Sequence, residues 1–233
     1  MPVATETFTG FRPEAVEFLA ELAANNDRAW FQPRKGEYEA LLRRPLEALC
    51  VALAERFAAA GVPLTADPAR SPFRIYRDVR FSKDKSPYKA HVSASFPWVE
   101  GRDPDAPTEE GNPGGYFHLA PGEAFVGGGM WHPPKEKLAA FRRTLDTDPA
   151  SVHAVLDAPA FVSTFGRING DRLSRTPQGY RADHPEAELL KLKDMTFGHR
   201  LSDDDVMSPR LPDVLVESFE VAVPVMRFLA RLS

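Results

Sequence analysis

The segment from Phe73 to His91, FRIYRDVRFSKDKSPYKAH, concentrates the side chains of this chain that could bind an anion. Between Arg70 and His91 there are seven Lys or Arg residues and two Asp residues, which gives a local charge of +5. The whole chain of 233 residues carries −4, so the remainder carries −9. Guanidinium groups make paired hydrogen bonds to carboxylate and phosphate oxygens, and ammonium groups add point charges. A basic segment in an acidic chain therefore predicts a site that receives one of these anions.

The predicted ligand-binding residues of this segment carry either a charge or a phenolic hydroxyl group. They are Arg74, Tyr76, Arg77, Asp78, Arg80, Lys83, Lys85, Tyr88 and Lys89. The arginines and lysines would supply the positive charge, and the two tyrosines would supply hydrogen bonds or stacking. Asp78 would hold the arginines on either side of it in place.

Alternating residue types over Phe73–Phe81 predict a β-strand. The side chains that face outward would be Arg74, Tyr76, Asp78 and Arg80. Those that face inward would be Phe73, Ile75, Arg77, Val79 and Phe81. Arg77 is then a core-facing cation, which an acid from a helix could pair. In that case Arg77→Ala should cost about 3–5 kcal/mol, whereas an exposed Arg77 should cost less than about 1 kcal/mol. The segment can thus be an anion site, an edge strand whose charges prevent aggregation, or an internally paired structural element.

Two histidines are candidate catalytic residues, as general acids or bases. His118 lies on a predicted strand that also carries Tyr116, and His132 follows the glycine run Gly127–Gly129. Together with His91, at the end of the basic segment, these histidines could converge in space. Each of them could equally be an ordinary polar residue.

The glycine run Gly127–Gly129 is predicted to link a strand to a helix. Backbone amides at a helix start can cradle an anion, but no Gly-Lys-Ser/Thr follows, so the run is not a P-loop. The alternative is that the glycines let a strand bend or pass close to Trp131.

The sequence lacks the residue patterns of common metal sites and of serine nucleophiles. The chain has neither an HExxH motif nor a GxSxG motif, and its single cysteine, Cys50, excludes a cysteine-rich zinc site and an intrachain disulfide. Asp78 and Asp84 lie among cations that would compete with a metal. We therefore predict no metal and no cofactor. The lone cysteine, the absence of a signal-peptide pattern and the lack of a long apolar run predict a soluble cytoplasmic protein with no membrane contact.

The order of predicted elements indicates an α+β fold, namely a single domain over 1–233 whose central, mainly antiparallel sheet is flanked by N-terminal and C-terminal helices. The predicted helices are 13–24, one capped by Asp27, 37–60 with a break at Pro45 and an end at Gly61, 134–145, 149–156, 159–165, 185–193, 203–207 and 212–232. The predicted strands are 73–81, 91–98, 115–120, 124–127 and 196–201, with a turn at Pro121-Gly122 and an exposed loop at 100–114.

Several of these motifs, in this order, resemble a known family. They are Phe18-Leu19 with Leu22, Asn25-Asn26 before Trp30-Phe31, the stretch Phe73–Lys89, Gly127–Gly129 with Trp131 and Pro133, Pro177, Gly179-Tyr180, and Asp183-His184-Pro185. The chain is similar over almost its whole length to domain-of-unknown-function family 2461. That resemblance implies one domain with the basic stretch as its hallmark, and it implies no activity, cofactor or catalytic residue.

Three functions follow as expectations. The first is binding of an anionic small molecule or a phosphate-bearing polymer at 73–91. The second is a metal-independent hydrolase or transferase acting on a phosphate ester, with His118 or His132 as acid or base and the arginines stabilising negative charge. The third is a structural or interaction protein whose basic stretch pairs internally. The sequence indicates no oligomeric state.

Overall fold

The computed structural model describes residues 7–80, 82–101 and 111–232. Over these residues helices accompany one four-stranded antiparallel sheet, which confirms the predicted α+β class. Phe81 and most of the predicted loop 100–114 lie outside the described residues. Within the described ranges, no helix combines the length and the apolar character needed to cross a membrane.

The elements follow one another in this order along the chain. The helices are α1 (Pro13–Ala24), α2 (Arg28–Tyr38), α3 (Arg44–Ala60), α4 (Lys135–Thr147), α5 (Pro149–Leu156), α6 (Pro159–Phe165), α7 (Ala187–Leu190), α8 (Asp203–Met207) and α9 (Leu211–Ala230), and a π-helical turn, Glu39–Arg43, joins α2 to α3. The strands are β1 (Val92–Pro97), β2 (Gly114–Ala120), β3 (Glu123–Met130) and β4 (Met195–Arg200), in the sheet order β1-β2-β3-β4.

The chain divides into two compact units, each assembled from three segments. The first unit comprises Met1–Phe96, Tyr116–Val126 and Arg200–Glu217, and the second comprises Pro97–Gly115, Gly127–His199 and Ser218–Ser233. Large buried side chains of the first unit include Phe11, Leu19, Phe31, Phe57, Phe96 and Phe117. Those of the second unit include Trp98, Phe141, Leu145, Phe161, Leu190 and Phe219. Each unit therefore has apolar side chains enough for a core of its own.

Local signals set the ends of the N-terminal helices as predicted. Pro13 begins α1, and the Asp27 carboxylate accepts a hydrogen bond from the backbone N–H of Trp30 at 2.9 Å to cap α2. Pro45 lies in the first turn of α3, at the predicted break, where its missing N–H is tolerated. Gly61 ends α3 with φ of 66°, a conformation that favours glycine.

Strand β3 runs further than predicted, to Met130, so Gly127–Gly129 lies inside a strand and not in a strand-to-helix link. The alternative of a close backbone approach explains the glycines. A Cβ at Gly127 would overlap the carbonyl oxygen of Phe197, and a Cβ at Gly129 would overlap that of Met195. Both oxygens belong to β4, so the glycines allow β3 and β4 to pair closely. The turn predicted between β2 and β3 is confirmed at Pro121-Gly122.

The predicted strand at 73–81 is wrong. In its described part, residues 73–80, the segment forms no strand, and the bridges there are isolated ones, between Pro72 and Ala94 and between Tyr76 and Tyr88. Two side chains compete with strand pairing, because Asp78 accepts from the N–H of Arg80 at 3.2 Å and Asp84 accepts from the N–H of Ser86 at 2.9 Å. The described residues 76–80 and 82–88 therefore fold back towards each other as a loop.

The predicted faces of this segment hold only in part. Arg74, Tyr76, Asp78 and Arg80 are exposed as predicted, and Ile75 is buried. Phe73, predicted to face the core, is 44% exposed. The helix predicted over 185–193 is also shorter than predicted, because only Ala187–Leu190 is helical.

Candidate functional site

Tyr88 fixes the basic segment to the helices of the first unit. Its backbone N–H donates to the Asn26 side chain at 3.0 Å, and its carbonyl accepts from the Asn26 amide at 3.0 Å. Its ring, only 1% exposed, stacks on Phe31 with centroids 4.1 Å apart. A buried tyrosine has no free face for a ligand, so we assign Tyr88 a positioning role and leave it out of the candidate site.

Two arginines of the segment are held by the two aspartates of the same segment. Arg80 forms a paired contact with Asp78, with Nη2 2.7 Å from Oδ2 and Nε 3.0 Å from Oδ1. This hydrogen bonding lowers the pKa of Asp78 to about 2. Arg77 donates to Asp84, and that bond, with those from Ser86, holds the pKa of Asp84 well below its usual range. These arginines are therefore partly neutralised before any ligand arrives.

Arg77 pairs with an acid of its own segment. It does not form the pairing with an acid from a helix that its inward position in the predicted strand suggested. Its side chain is 29% exposed, and the side chain of its partner, Asp84, is 57% exposed. The predicted pairing with a helix is wrong because the loop folds back and brings Asp84, seven residues further on, to the guanidinium group.

We expect Arg77→Ala to change stability little, because a pair this open to water gains little from charge attraction. The melting temperature should fall by no more than about 3 °C for a chain of this size. Thermal unfolding followed by circular dichroism measures this change, with Asp84→Ala as the matched control that removes the other partner. A much larger fall for Arg77→Ala than for Asp84→Ala would show that the guanidinium group has a structural role outside the pair.

Arg74 and Lys89 differ from the paired arginines. Arg74 is exposed, and Lys89 is half-buried with its Nζ 5.1 Å from the centroid of the Phe73 ring. Burial lowers the pKa of Lys89, and the charge of Arg74 lowers it further. In the parts of the chain that the structure describes, neither cation forms an ion pair with a carboxylate. Two neighbouring cations without a counter-charge favour an anion between or beside them.

One face of the sheet beside these cations carries aromatic side chains. We call it the aromatic face, and it consists of Phe73, His91, Tyr116, His118 and Phe125. On β2 the alternate residues Phe117 and Leu119 are buried, which leaves Tyr116 and His118 half-exposed on the opposite side. The His118 ring lies 4.5 Å from that of His91 and 4.8 Å from that of Phe125. The predicted convergence of histidines is thus confirmed for His91 and His118.

Both histidines of the aromatic face are disfavoured as cations. Burial lowers the pKa of His91 to about 4, and the charges of His118, Lys89 and Arg77 act in the same direction. Burial also lowers the pKa of His118, against an opposing effect of Glu123. At neutral pH the two imidazoles are therefore neutral, and the nearby positive charge comes from lysine and arginine.

A hydrogen-bond chain orients His118. The hydroxyl oxygen of Tyr116 lies 3.2 Å from Nδ1 of His118. Burial raises the pKa of Tyr116, and a hydrogen bond from Ser93 to its oxygen opposes that rise. The hydroxyl group can donate to Nδ1 or accept from it, so the contact orients the His118 ring in either tautomer. With its proton on Nε2, His118 offers an N–H donor of the kind that an anion requires.

His132 lies in the second unit with other partners. Its backbone N–H and its Nδ1 lie 2.7 and 3.0 Å from the same oxygen of Asp194, which is buried. Its ring stacks on Trp131 at 3.9 Å, and its φ of 49° is in the left-handed region. An acid or base role for His132 stays a prediction.

Some residues of the site carry no sequence signal. The alternation of residue types predicts Phe73 as a core residue, and Phe125 and Ser93 belong to no motif. In the second unit, Asp194, which contacts His132, likewise precedes β4 without a pattern that would mark it. Among the described residues, no group of three or more His, Cys, Asp or Glu side chains is arranged to hold a metal ion.

Comparison with known proteins identifies a family. The family model described as "Conserved hypothetical protein (DUF2461)" matches residues 14–228, nearly the whole chain. No curated protein and no solved structure matches the chain.

Proposed function

Since the chain belongs to the DUF2461 family of conserved hypothetical proteins, whose description states no activity, we propose a function from its own site: the first unit binds a small molecule bearing a carboxylate or a phosphate at Arg74 and Lys89. The observation that carries the proposal is the half-buried ammonium group of Lys89, which neighbours a second cation and has no carboxylate partner among the described residues.

Electrostatics gives the physical reason. Burying an ammonium group costs free energy, and a like charge nearby adds to that cost. A bound anion reverses both contributions, because it supplies an opposite charge where water is partly excluded. The paired arginines contribute less, since Asp78 and Asp84 already accept their hydrogen bonds.

The aromatic face adds donors without adding charge. His118 would donate through Nε2, because Tyr116 occupies its Nδ1. A neutral imidazole on the face that Lys89 borders adds no charge repulsion in the free protein and still offers a hydrogen bond to an oxygen of the ligand. We propose a small anion and not a phosphate-bearing polymer, because the site draws on the two cations Arg74 and Lys89 alone. The proposal keeps the cytoplasmic location that the lone Cys50 predicts.

Sulfate binding tests the proposal. We expect sulfate to raise the melting temperature of the wild-type protein through ligand linkage. The double variant Arg74→Gln with Lys89→Met removes both charges and keeps side chains of similar length, so its affinity for sulfate should be at least about tenfold lower. Isothermal titration calorimetry measures the affinity, and circular dichroism without sulfate verifies that the variant folds.

The matched control is Lys83→Gln, which removes one exposed lysine of the same segment. Lys83→Gln should bind sulfate as the wild type does. Unchanged sulfate affinity in the folded double variant would refute the site. An equal loss in Lys83→Gln would show that the overall charge of the segment attracts sulfate, without a defined site.

The hydrolase or transferase alternative rests on His118. Its ring contacts Tyr116 and lies on the same face as the cations, so His118 is the candidate acid or base for a phosphate ester. The hydroxyl group beside this imidazole is that of Tyr116, and burial raises its pKa, which keeps it protonated and a weak nucleophile, so we propose binding first. Release of inorganic phosphate from a phosphate ester by the wild type, lost in His118→Gln, would favour the enzyme.

Internal pairing of the segment is the remaining alternative. Arg77 and Arg80 support it, because each has an aspartate partner within a few residues. Arg74 and Lys89 do not fit it, and they are the residues on which the sulfate experiment depends.

A further inference from the structure

We infer that the ligand carries a planar aromatic ring next to its anionic group, and that this ring packs on the aromatic face; the inference rests on the proposed anion site. It specifies the chemical class of the ligand as an aromatic phosphate or carboxylate, of which a nucleoside monophosphate is an example.

The rings of the aromatic face form a continuous surface. The Phe73 ring lies 6.2 Å from that of Tyr116, and the Tyr116 ring lies 5.7 Å from that of Phe125. His118 is nearly parallel to Phe125, with an angle of 17° between their planes. These spacings are those of rings in direct contact. Side chains from three separate parts of the first unit therefore build one apolar surface.

This surface is unusual for the solvent side of a sheet. A sheet with one buried face normally presents polar side chains on the other. Here β2 buries Phe117 and Leu119 on one side and places Tyr116 and His118 on the other, while Phe73 remains 44% exposed. Keeping large rings partly in water is unfavourable, and a ligand ring that covers them would remove that cost.

The position of Lys89 connects the ring surface to the anion site. Its Nζ lies 5.1 Å from the centroid of Phe73, so the ammonium group borders the apolar surface directly. A ligand whose anionic group and ring are a few bonds apart can contact both. The lowered pKa values of His91 and His118 keep their rings uncharged and suited to stacking. A ligand with the anion alone would leave the rings uncovered.

Three probes separate the two contributions to binding. Adenosine 5′-monophosphate has the anion and the ring, ribose 5-phosphate has the anion alone, and adenosine has the ring alone. We expect the monophosphate to bind at least about tenfold more tightly than ribose 5-phosphate, within the range measured for stacking of one base on aromatic side chains. Adenosine should bind most weakly. Isothermal titration calorimetry on the full chain measures all three affinities.

Phe73→Leu and Trp131→Leu are the paired variants. Phe73→Leu removes a ring of the aromatic face and keeps an apolar side chain, so the monophosphate affinity should fall toward that of ribose 5-phosphate, which should itself not change. Trp131→Leu removes an exposed ring that belongs to the second unit and not to the aromatic face. It should leave both affinities unchanged.

The outcomes distinguish the two proposals. If sulfate and ribose 5-phosphate bind and the monophosphate binds no more tightly, the ring subsite is refuted while the anion site stands. If none of the anions binds, the anion site itself is refuted. An equal loss for Phe73→Leu and Trp131→Leu would place the ring elsewhere and overturn the assignment to the aromatic face.

Discussion

Gly129→Ala is expected to lower the free energy of unfolding by at least about 3 kcal/mol, which is a large fraction of the stability of an ordinary domain. Gly129 has a φ of +106°, which L side chains rarely adopt. An added Cβ would also overlap the carbonyl oxygen of Met195 and lie 2.9 Å from Cα of Thr196. Because both neighbours are backbone atoms of β4, no side chain can move aside, and the strands must separate.

Gly36→Ala is the matched control for this prediction. Gly36 lies in α2, it is exposed, and a Cβ there would have no atom within 4 Å. Alanine in a helix interior should therefore stabilise the protein, by about 0.5–1 kcal/mol. Urea unfolding followed by circular dichroism measures both variants. If Gly129→Ala changed stability by less than 1 kcal/mol, the close pairing of β3 with β4 at this glycine would be incorrect.

The contrast between these glycines explains how far the sequence predicts the fold. Helix ends depend on interactions within a few residues, as at Asp27 and Gly61, so the sequence alone locates them. The glycine run needs β4, which follows more than sixty residues later, and nothing in the run itself says which strand approaches. The run was therefore predicted as a link between a strand and a helix when it is the interior of β3.

The segment 73–81 shows a related limit. Alternation of residue types indicates which side chains face water, and Arg74 and Tyr76 do so. It does not indicate whether a neighbouring strand offers a continuous set of hydrogen bonds. The aspartate side chains accept hydrogen bonds from local N–H groups, so the chain turns back on itself. The alternation of residue types gives no sign of these competing hydrogen bonds.

The sequence predicts the charges of the candidate site better than it predicts which side chains come together there. The excess of Lys and Arg indicates the position of the proposed anion site in the first unit, and the pattern around His118 identifies Tyr116 as its neighbour. Phe73 and Phe125 acquire a role only when the loop, β2 and β3 come together. The division of the arginines into paired and unpaired ones likewise depends on the loop geometry, because Arg77 reaches Asp84 only when the loop folds back.

Sulfate affinity is expected to increase about tenfold between pH 7.5 and pH 5, because anion binding should be coupled to protonation of His91. The folded-state pKa of His91 is about 4, below its ordinary value. A nearby sulfate favours the imidazolium form and raises that pKa in the complex. The complex then takes up a proton that the free protein does not, so binding tightens as the pH falls and levels off below about pH 4. Sulfate suits this test because its own charge is constant over the range.

His91→Gln isolates this coupling from the general gain of positive charge in acid. Lys89 and Arg77 also act on His91, and Glu123 acts on His118, but these groups remain in the variant. The variant should keep the wild-type affinity at pH 7.5 and lose most of the increase at pH 5, with a remainder from His118. Without sulfate, the lowered pKa means that His91 opposes folding as the pH falls from about 6.5 to about 4, since the unfolded chain binds the proton more readily. Calorimetric titrations at several pH values measure the coupling, and a wild-type affinity independent of pH would mean that the anion does not bind beside His91.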